Sequence, residues 1–286
     1  MAEGFLWYAG IPFPTKFCKT EDIRAAHEQF VVKDKDIITV TYPRSGTNWM
    51  IEILCLILSK GDPEWIRSVP MWERCLSIES ELGSKIIRDM KEGPRLLTSH
   101  LPFQLFPKSF LTSKAKVIYV LRNPKDVLVS RYYFICQSKF MKNPESLQQY
   151  DEWFIQGNVA YGSWFAHVLG WMSMRESKSV LVLSYEALKK DTRSTVEKIC
   201  QFLGKKLEPE ELDLVVENSS FQAMKENKMS NYSSMDRNYI SANVEMIRKG
   251  MVGDWKNHLT VAQAEAFDKI FQEKMAGFPP ELLPCD

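Results

Sequence analysis

The sequence predicts an α/β fold: a single domain over residues 1–286 with a central parallel β-sheet flanked by helices. Three observations lead there. Short β-branched runs recur at Ile37 to Tyr42 (IITVTY), Lys116 to Leu121 (KVIYVL) and Val180 to Ser184 (VLVLS). Their near-continuous apolarity marks strands covered on both faces. Each run passes through a short polar turn into a helical stretch, the alternation that lays parallel strands under crossover helices. Finally, no repeat, low-complexity tract or Pro/Gly-rich linker divides the 286 residues, a length that one large domain can fill.

In chain order, the first thirty-five residues read as a loop with Pro12 and Pro14, then a helix over roughly Glu21 to Phe30. The strand at 37–42 runs through Pro43-Arg44-Ser45-Gly46-Thr47-Asn48 into an apolar helix, Trp49 to Ser59. A weaker run, Arg95 to Ser99 (RLLTS), is a fourth strand candidate and ends at His100. The strand at 116–121 ends in Arg122-Asn123-Pro124 and leads into a helix from Asp126 to Tyr133. From Trp153 to Met174 there is no formal charge, but Gln156, Asn158, His167 and three glycines interrupt the stretch. It reads as a buried helix or two, not as a membrane span. Val180 to Ser184 continues into Tyr185 and the helical Glu186-Ala187-Leu188-Lys189. Asn227 to Ala242, rich in Asn, Ser and Met, reads as a loop or lid.

Composition narrows the function. With 37 Lys+Arg against 36 Asp+Glu the net charge is +1, so nothing pulls the whole molecule toward nucleic acid or a membrane, and an anion site has to be local. Six cysteines without CxxC spacing and four histidines argue against a structural zinc site or disulfide framework. Free thiols predict a reducing, cytoplasmic setting. The start, Met-Ala-Glu-Gly-Phe-Leu-Trp, lacks the basic and apolar regions of a secretory signal.

A tight turn with Ser45, Gly46 and Thr47 at a helix N-terminus offers N–H groups, hydroxyls and a positive dipole end to an anion, and Arg44 adds a full charge. The turn resembles an ATP-type P-loop but fails its GxxxxGK[ST] spacing, since Gly46 is the only glycine. The run at 116–121 ends in Arg122, not in the Asp that holds magnesium in nucleoside triphosphatases, so a nucleotide kinase is disfavoured and no metal is expected. Arg122 and Arg248-Lys249-Gly250, with Gly253-Asp254-Trp255-Lys256 behind it, supply further cations. Trp49, Tyr185 and Phe221 can flank a purine. Taken singly, each cation is more often a solvated charge, each aromatic more often a core residue, and a lone histidine such as His100 more often structural.

Taken together, Tyr42-Pro43-Arg44-Ser45-Gly46-Thr47-Asn48-Trp49, Ser99-His100-Leu101-Pro102, Arg122-Asn123-Pro124-Lys125-Asp126 and Arg248-Lys249-Gly250-x-x-Gly253-Asp254-Trp255-Lys256-Asn257 resemble the motifs of the cytosolic sulfotransferases, in family order and across essentially the whole chain. Phe5-Leu6-Trp7-Tyr8-x-Gly10-Ile11-Pro12-Phe13-Pro14 and Ser219-Ser220-Phe221-Gln222-x-Met224-Lys225-x-Asn227 are similar to its hydroxysteroid (alcohol and bile-salt) branch. The resemblance implies transfer of a sulfuryl group from 3′-phosphoadenosine 5′-phosphosulfate (PAPS) to a hydroxyl of hydroxysteroids, bile acids or related alcohols. It implies that Arg44, Ser45, Gly46, Thr47, Asn48 and Trp49 hold the phosphosulfate, and that Arg122, Ser130, Arg248, Lys249 and Gly250 hold the 3′-phosphate. Tyr185, Ser219 and Phe221 would complete the nucleoside pocket, His100 would be the general base, and Trp72, Phe134 and Tyr239 would face the acceptor. Lys256, Thr260, Val261 and Glu265 match the family's KxxxTVxxxE homodimer segment.

Two departures stand out. Arg44 replaces the family lysine that meets the bridging oxygen of the leaving group, which raises the alternative of a PAPS/PAP-binding protein with weakened catalysis. Where the branch has Ser-Pro-Trp and Gly-Tyr-Phe-Phe-Trp, this chain has Cys75-Leu76-Ser77 and Arg131-Tyr132-Tyr133-Phe134-Ile135. Arg131 reads as solvent-facing, or, inside a pocket, as a partner for an acidic acceptor such as a bile acid.

Overall fold

The β-branched runs pair as the sequence suggests. The computed structural model describes residues 4–90, 94–138, 143–235 and 244–279. Among these, β1 (Phe5–Tyr8) and β2 (Ile11–Pro14) form an antiparallel ribbon. A second sheet contains β3 (Ile37–Thr41), β4 (Leu76–Ser77), β5 (Leu96–Ser99), β6 (Lys116–Leu121) and β7 (Val180–Ser184). All its pairings are parallel and its order is β4-β5-β3-β6-β7. Every residue of β3 is buried, as expected of a central strand covered on both faces.

Two apolar layers cover the sheet. One contains Val40, Leu97, Val117 and Tyr119 with Trp164 and Trp171. The other contains Ile37, Leu96, Ile118 and Val120 beneath the helix Thr47–Leu58, which is buried continuously from Met50 to Ile57. A helix so apolar on all sides fits only beneath other elements. Register aligns the strand ends: Val40 lies opposite both Ser99 and Tyr119, and Leu121 opposite Ser184. The segments carrying Arg44, His100, Arg122 and Tyr185 therefore leave the sheet along one edge. Chain order reverses about β3, the place where open α/β sheets bind ligands.

Several boundaries differ from the sequence reading. The N-terminal "loop" contains the β1-β2 ribbon, and a two-stranded ribbon tolerates Pro12 and Pro14 because an edge needs no complete ladder. β4 has two residues, too few for any periodicity to register. The first helix spans Thr20–Glu28, and that after β6 runs from Pro124 to Ser138 because proline fits the first helical turn. The uncharged stretch at 153–174 divides between the helices Leu147–Gln156 and Trp164–Met172, separated after Gly157, a left-handed C-cap with φ 79°. No helix among the described residues is long and apolar enough to cross a membrane. Asn227 to Ser230 does not behave as a free lid. Ser230 Oγ donates to Glu52 Oε1 (2.6 Å), Arg74 bonds both Glu52 (2.8 Å) and Ser230 (3.1 Å), and Met71 N–H donates to Met229 O (2.8 Å). The rest of that segment from 236 onward, Tyr239 included, lies outside the described residues.

Candidate active site

A cavity of about 590 Å³ opens where these strand ends converge. The turn after β3 holds two left-handed residues, Arg44 (φ 74°) and Gly46 (φ 105°), which reverse the chain and start the helix at Thr47. A Cβ on Gly46 would sit 2.8 Å from the Tyr185 ring, so glycine is needed for both conformation and approach. Ser45 Oγ and Trp49 Nε1 are buried there with no hydrogen-bond partner among the described residues.

Arg122, Arg131 and Arg248 surround this turn, which itself carries Arg44. Arg122 donates through Nη1 to Arg44 O (3.1 Å) and through Nη2 to Met251 O (3.0 Å), and lies 4.3 Å over Tyr185. Arg44 donates through Nε to Ser130 Oγ (3.2 Å) and through Nη2 to Met246 O (3.0 Å), crossing the Phe134 face at 5.1 Å. Burial, then the charges of Arg122, Arg248 and Arg131, push the Arg44 pKa down to about 10. Arg248 and Lys249 each reach Asp254 at 2.8 Å. Burial disfavours the Asp254 charge, but hydrogen bonds from Lys249, Arg248 and Asn257 outweigh it and hold the carboxyl well below its usual range. Asp126 accepts from Gly253 N–H (2.8 Å) and Trp255 N–H (3.1 Å), tying this segment to the helix after β6. Gly250 (φ 62°) leaves room for Phe221, which a Cβ would meet at 2.4 Å.

This cradle fits a nucleotide carrying two phosphate groups. Mutually repelling cations converge, Ser45 Oγ and the Nε atoms of Arg122 and Arg248 are orphaned donors, and Tyr185 and Phe221 fill the spaces two glycines leave. Most residues that sequence reading assigned to the nucleotide line this cavity. Ser45 and Ser219 sit behind its wall, and the Ser219 hydroxyl donates to Val215 O (2.7 Å) in its own helix.

His100 lines the same cavity. Its Nδ1 lies 2.8 Å from Thr41 O. A carbonyl only accepts, so Nδ1 carries the proton and Nε2 keeps its lone pair. Burial lowers the His100 pKa to about 4; the Thr41 bond opposes this, and Arg131 and Arg44 add to it. The main chain here is fixed on three sides. Glu79 Oε1 accepts from His100 N–H (2.7 Å), His167 Nε2–H donates to His100 O (3.2 Å), and Trp171 Nε1–H donates to Leu101 O (3.1 Å). Glu79 and His167 gave no local signal in the sequence, because they reach His100 only through folding. Asp126 and Asp254 lie inside quoted motifs, and their fixed spacing to the basic residues was the available clue.

On the remaining wall, Trp72 packs on Tyr232 (centroids 5.4 Å apart), and Cys75, Ser77, Phe134, Ile135 and Tyr161 also line the cavity. The expectation that Arg131 faces solvent is overturned: it is 3% exposed and borders the cavity. Its helix packs this face inward against Tyr42 and Tyr150, so a charge in sequence did not mean a charge in water.

Cations at parallel strand ends beside a neutral histidine form an α/β site suited to a polyanionic nucleotide. Residues 34–279 match the sulfotransferase domain model, and the chain belongs to the sulfotransferase family. It is 63% identical over 286 residues to Sulfotransferase 2A1 of Macaca fascicularis, all of both chains being covered. It is 61% identical to the 3-beta-hydroxysteroid sulfotransferase of Cavia porcellus, covering 100% of this chain and 99% of that one. A solved mouse sulfotransferase, SULT7A1 complexed with PAP, is 30% identical with a TM-score of 0.79, over 96% of this chain and 95% of that one.

Proposed function

We propose that this sulfotransferase uses PAPS to sulfate a hydroxyl of hydroxysteroids, bile acids or related alcohols, with His100 as general base. The observation that carries the reading is the His100 tautomer: Nδ1–H is held by Thr41 O, and Nε2 is free to accept a proton in a cavity bordered by both the cation cradle and the apolar wall. PAPS supplies the sulfuryl group and leaves as PAP. Arg44, Thr47 and Asn48 at the helix start hold the 5′ end, and Arg122, Ser130, Arg248, Lys249 and Gly250 hold the 3′-phosphate. Trp49, Tyr185 and Phe221 enclose the nucleoside, with Ser219 behind their wall. Trp72 and Phe134 bound the acceptor. Nε2 takes the hydroxyl proton as the acceptor oxygen attacks sulfur, and fixed cations stabilise the charge developing on the departing phosphate. Mass-spectrometric detection of sulfated product from PAPS and a panel of hydroxysteroids, bile acids and simple phenols tests this. Absence of product on every alcohol, with PAP bound, would overturn it. The weakened binding protein is not favoured, since relatives matching over the full length are enzymes by name.

Arg44 retains the charge of the family lysine, but its guanidinium is committed to Ser130 and Met246 O and cannot swing as an ammonium does. Arg44→Lys is expected to raise kcat several-fold while the KM for PAPS changes little; single-turnover kinetics that show an unchanged rate would sink this role.

A homodimer through Lys256, Thr260, Val261 and Glu265 is supported by their exposure. Thr260 caps the helix Val261–Lys274 through a capping box, and Val261 is 75% exposed. Such a short segment makes a small interface, so Val261→Glu should shift sedimentation to monomer; a wild type that is monomeric at micromolar concentration would count against it. The free, buried thiols at Cys18, Cys55, Cys75 and Cys200 support a cytoplasmic location, which cell fractionation checks.

A further inference from the structure

We infer that Arg131 is a specificity-determining residue: its buried guanidinium pairs with a carboxylate on the acceptor. The inference rests on the sulfotransferase reading and goes beyond it to the acidity of the substrate. Arg131, Phe134 and Ile135 follow one another at helical spacing, and all three border the cavity. Arg131 Nε donates to Tyr150 Oη (3.1 Å) and Nη2 to Ala160 O (2.9 Å), while the guanidinium lies 4.9 Å over the Tyr42 ring. Nη1 is buried with no partner.

Each of those contacts is neutral. Arg131 has no ion pair among the described residues, while Arg74, Arg95 and Arg122 each lie within 4 Å of a carboxylate. Glu79, near His100, spends Oε1 on that residue's N–H. The His100 ring is neutral, and Arg44 adds a like charge. A buried cation without a counter-charge is costly unless a ligand supplies one.

The donor does not account for Arg131 as it does for its neighbours. Ser130, the preceding residue, turns to Arg44 and the cradle. Arg131 is about 100° further round the helix and is anchored by Tyr150 and Ala160 on the far side. An acceptor carboxylate against this wall pairs with the charge and takes the unpaired N–H, whereas a neutral steroid leaves both uncompensated.

The test compares a 3-hydroxycholanoic acid with its methyl ester, and a neutral 3-hydroxysteroid, in wild type, Arg131→Gln and Arg131→Lys. Wild type should favour the acid over the ester in kcat/KM by roughly tenfold or more. Arg131→Gln should abolish that ratio mainly through the KM of the acid, and Arg131→Lys should restore part of it. Equal use of acid and ester by wild type, or a ratio unchanged in Arg131→Gln, would overturn the inference and leave Arg131 as a tie between Tyr150 and Ala160. A rise in the KM for PAPS instead would also overturn it, by assigning the charge to the donor. If wild type sulfates none of the three, the sulfotransferase reading fails separately. Calorimetry of acid and ester binding to the PAP-loaded protein then decides the charge preference alone, and does so for wild type even if a variant does not fold.

Discussion

Replacing His100 with alanine lowers kcat by about 10²- to 10⁴-fold, the usual contribution of a positioned proton acceptor, while PAP affinity measured by calorimetry stays within about twofold. No other histidine can stand in. His27 Nδ1 bonds Phe106 O, His167 is buried between Tyr119 and His100 O, and His258 contacts Tyr133 and Asp254. A matching loss of PAP binding would show that His100 organises the cradle and is not the base.

The pH profile follows from the same geometry. A base works unprotonated, and burial lowers the His100 pKa to about 4, so kcat/KM should have no acid limb near 6.5, the ordinary histidine value. Burial also lowers the His167 pKa, to about 3. For both residues the unfolded chain binds more protons than the folded one between those values and 6.5. Stability is therefore full above 6.5 and falls as pH falls toward 4. Acid inactivation should then coincide with unfolding followed by circular dichroism. An acid limb at 6.5 in a fully folded protein would place His100 in bulk water.

The sheet was legible because its central strands, β3 and β6, are buried on both faces and the half-buried β7 is still an apolar run, so apolarity survives in a single sequence: β6 and β7 match their predicted bounds. The β1-β2 ribbon was not, since its prolines mimic a loop, and β4 is held by its register to β5 alone. The cradle was legible through motifs whose spacing is fixed locally, Arg44 to Trp49 and Arg248 to Lys256. What holds it together was less so. Asp126 caps a segment 127 residues away, and Glu79 meets His100 across strands. The orientation of Arg131 was invisible for a related reason: helix facing depends on the partner helix Leu147–Gln156, which supplies Tyr150.

Arg122→Ala should weaken PAP binding by roughly 100-fold or more, more than any other single cation in the cradle. Arg122 contributes twice. It brings a charge that is 8% exposed, and its fork joins two loops by bonding the carbonyls of Arg44 and Met251. Losing one partner of a buried, hydrogen-bonded charge pair typically costs about 2–5 kcal/mol, and here the turn that carries the second cation is released as well. Lys249, by contrast, is exposed and already paired with Asp254, so its removal should cost about tenfold or less. Arg122→Lys separates the two contributions. An ammonium keeps the charge but lacks the planar fork that spans both carbonyls, so its affinity should fall between wild type and Arg122→Ala. If Arg122→Lys binds PAP as tightly as wild type by calorimetry, charge alone matters and the bridge between the loops is incidental. If it binds as weakly as alanine, the fork is the larger part, and the order of the two loops before the nucleotide arrives sets the affinity of the site.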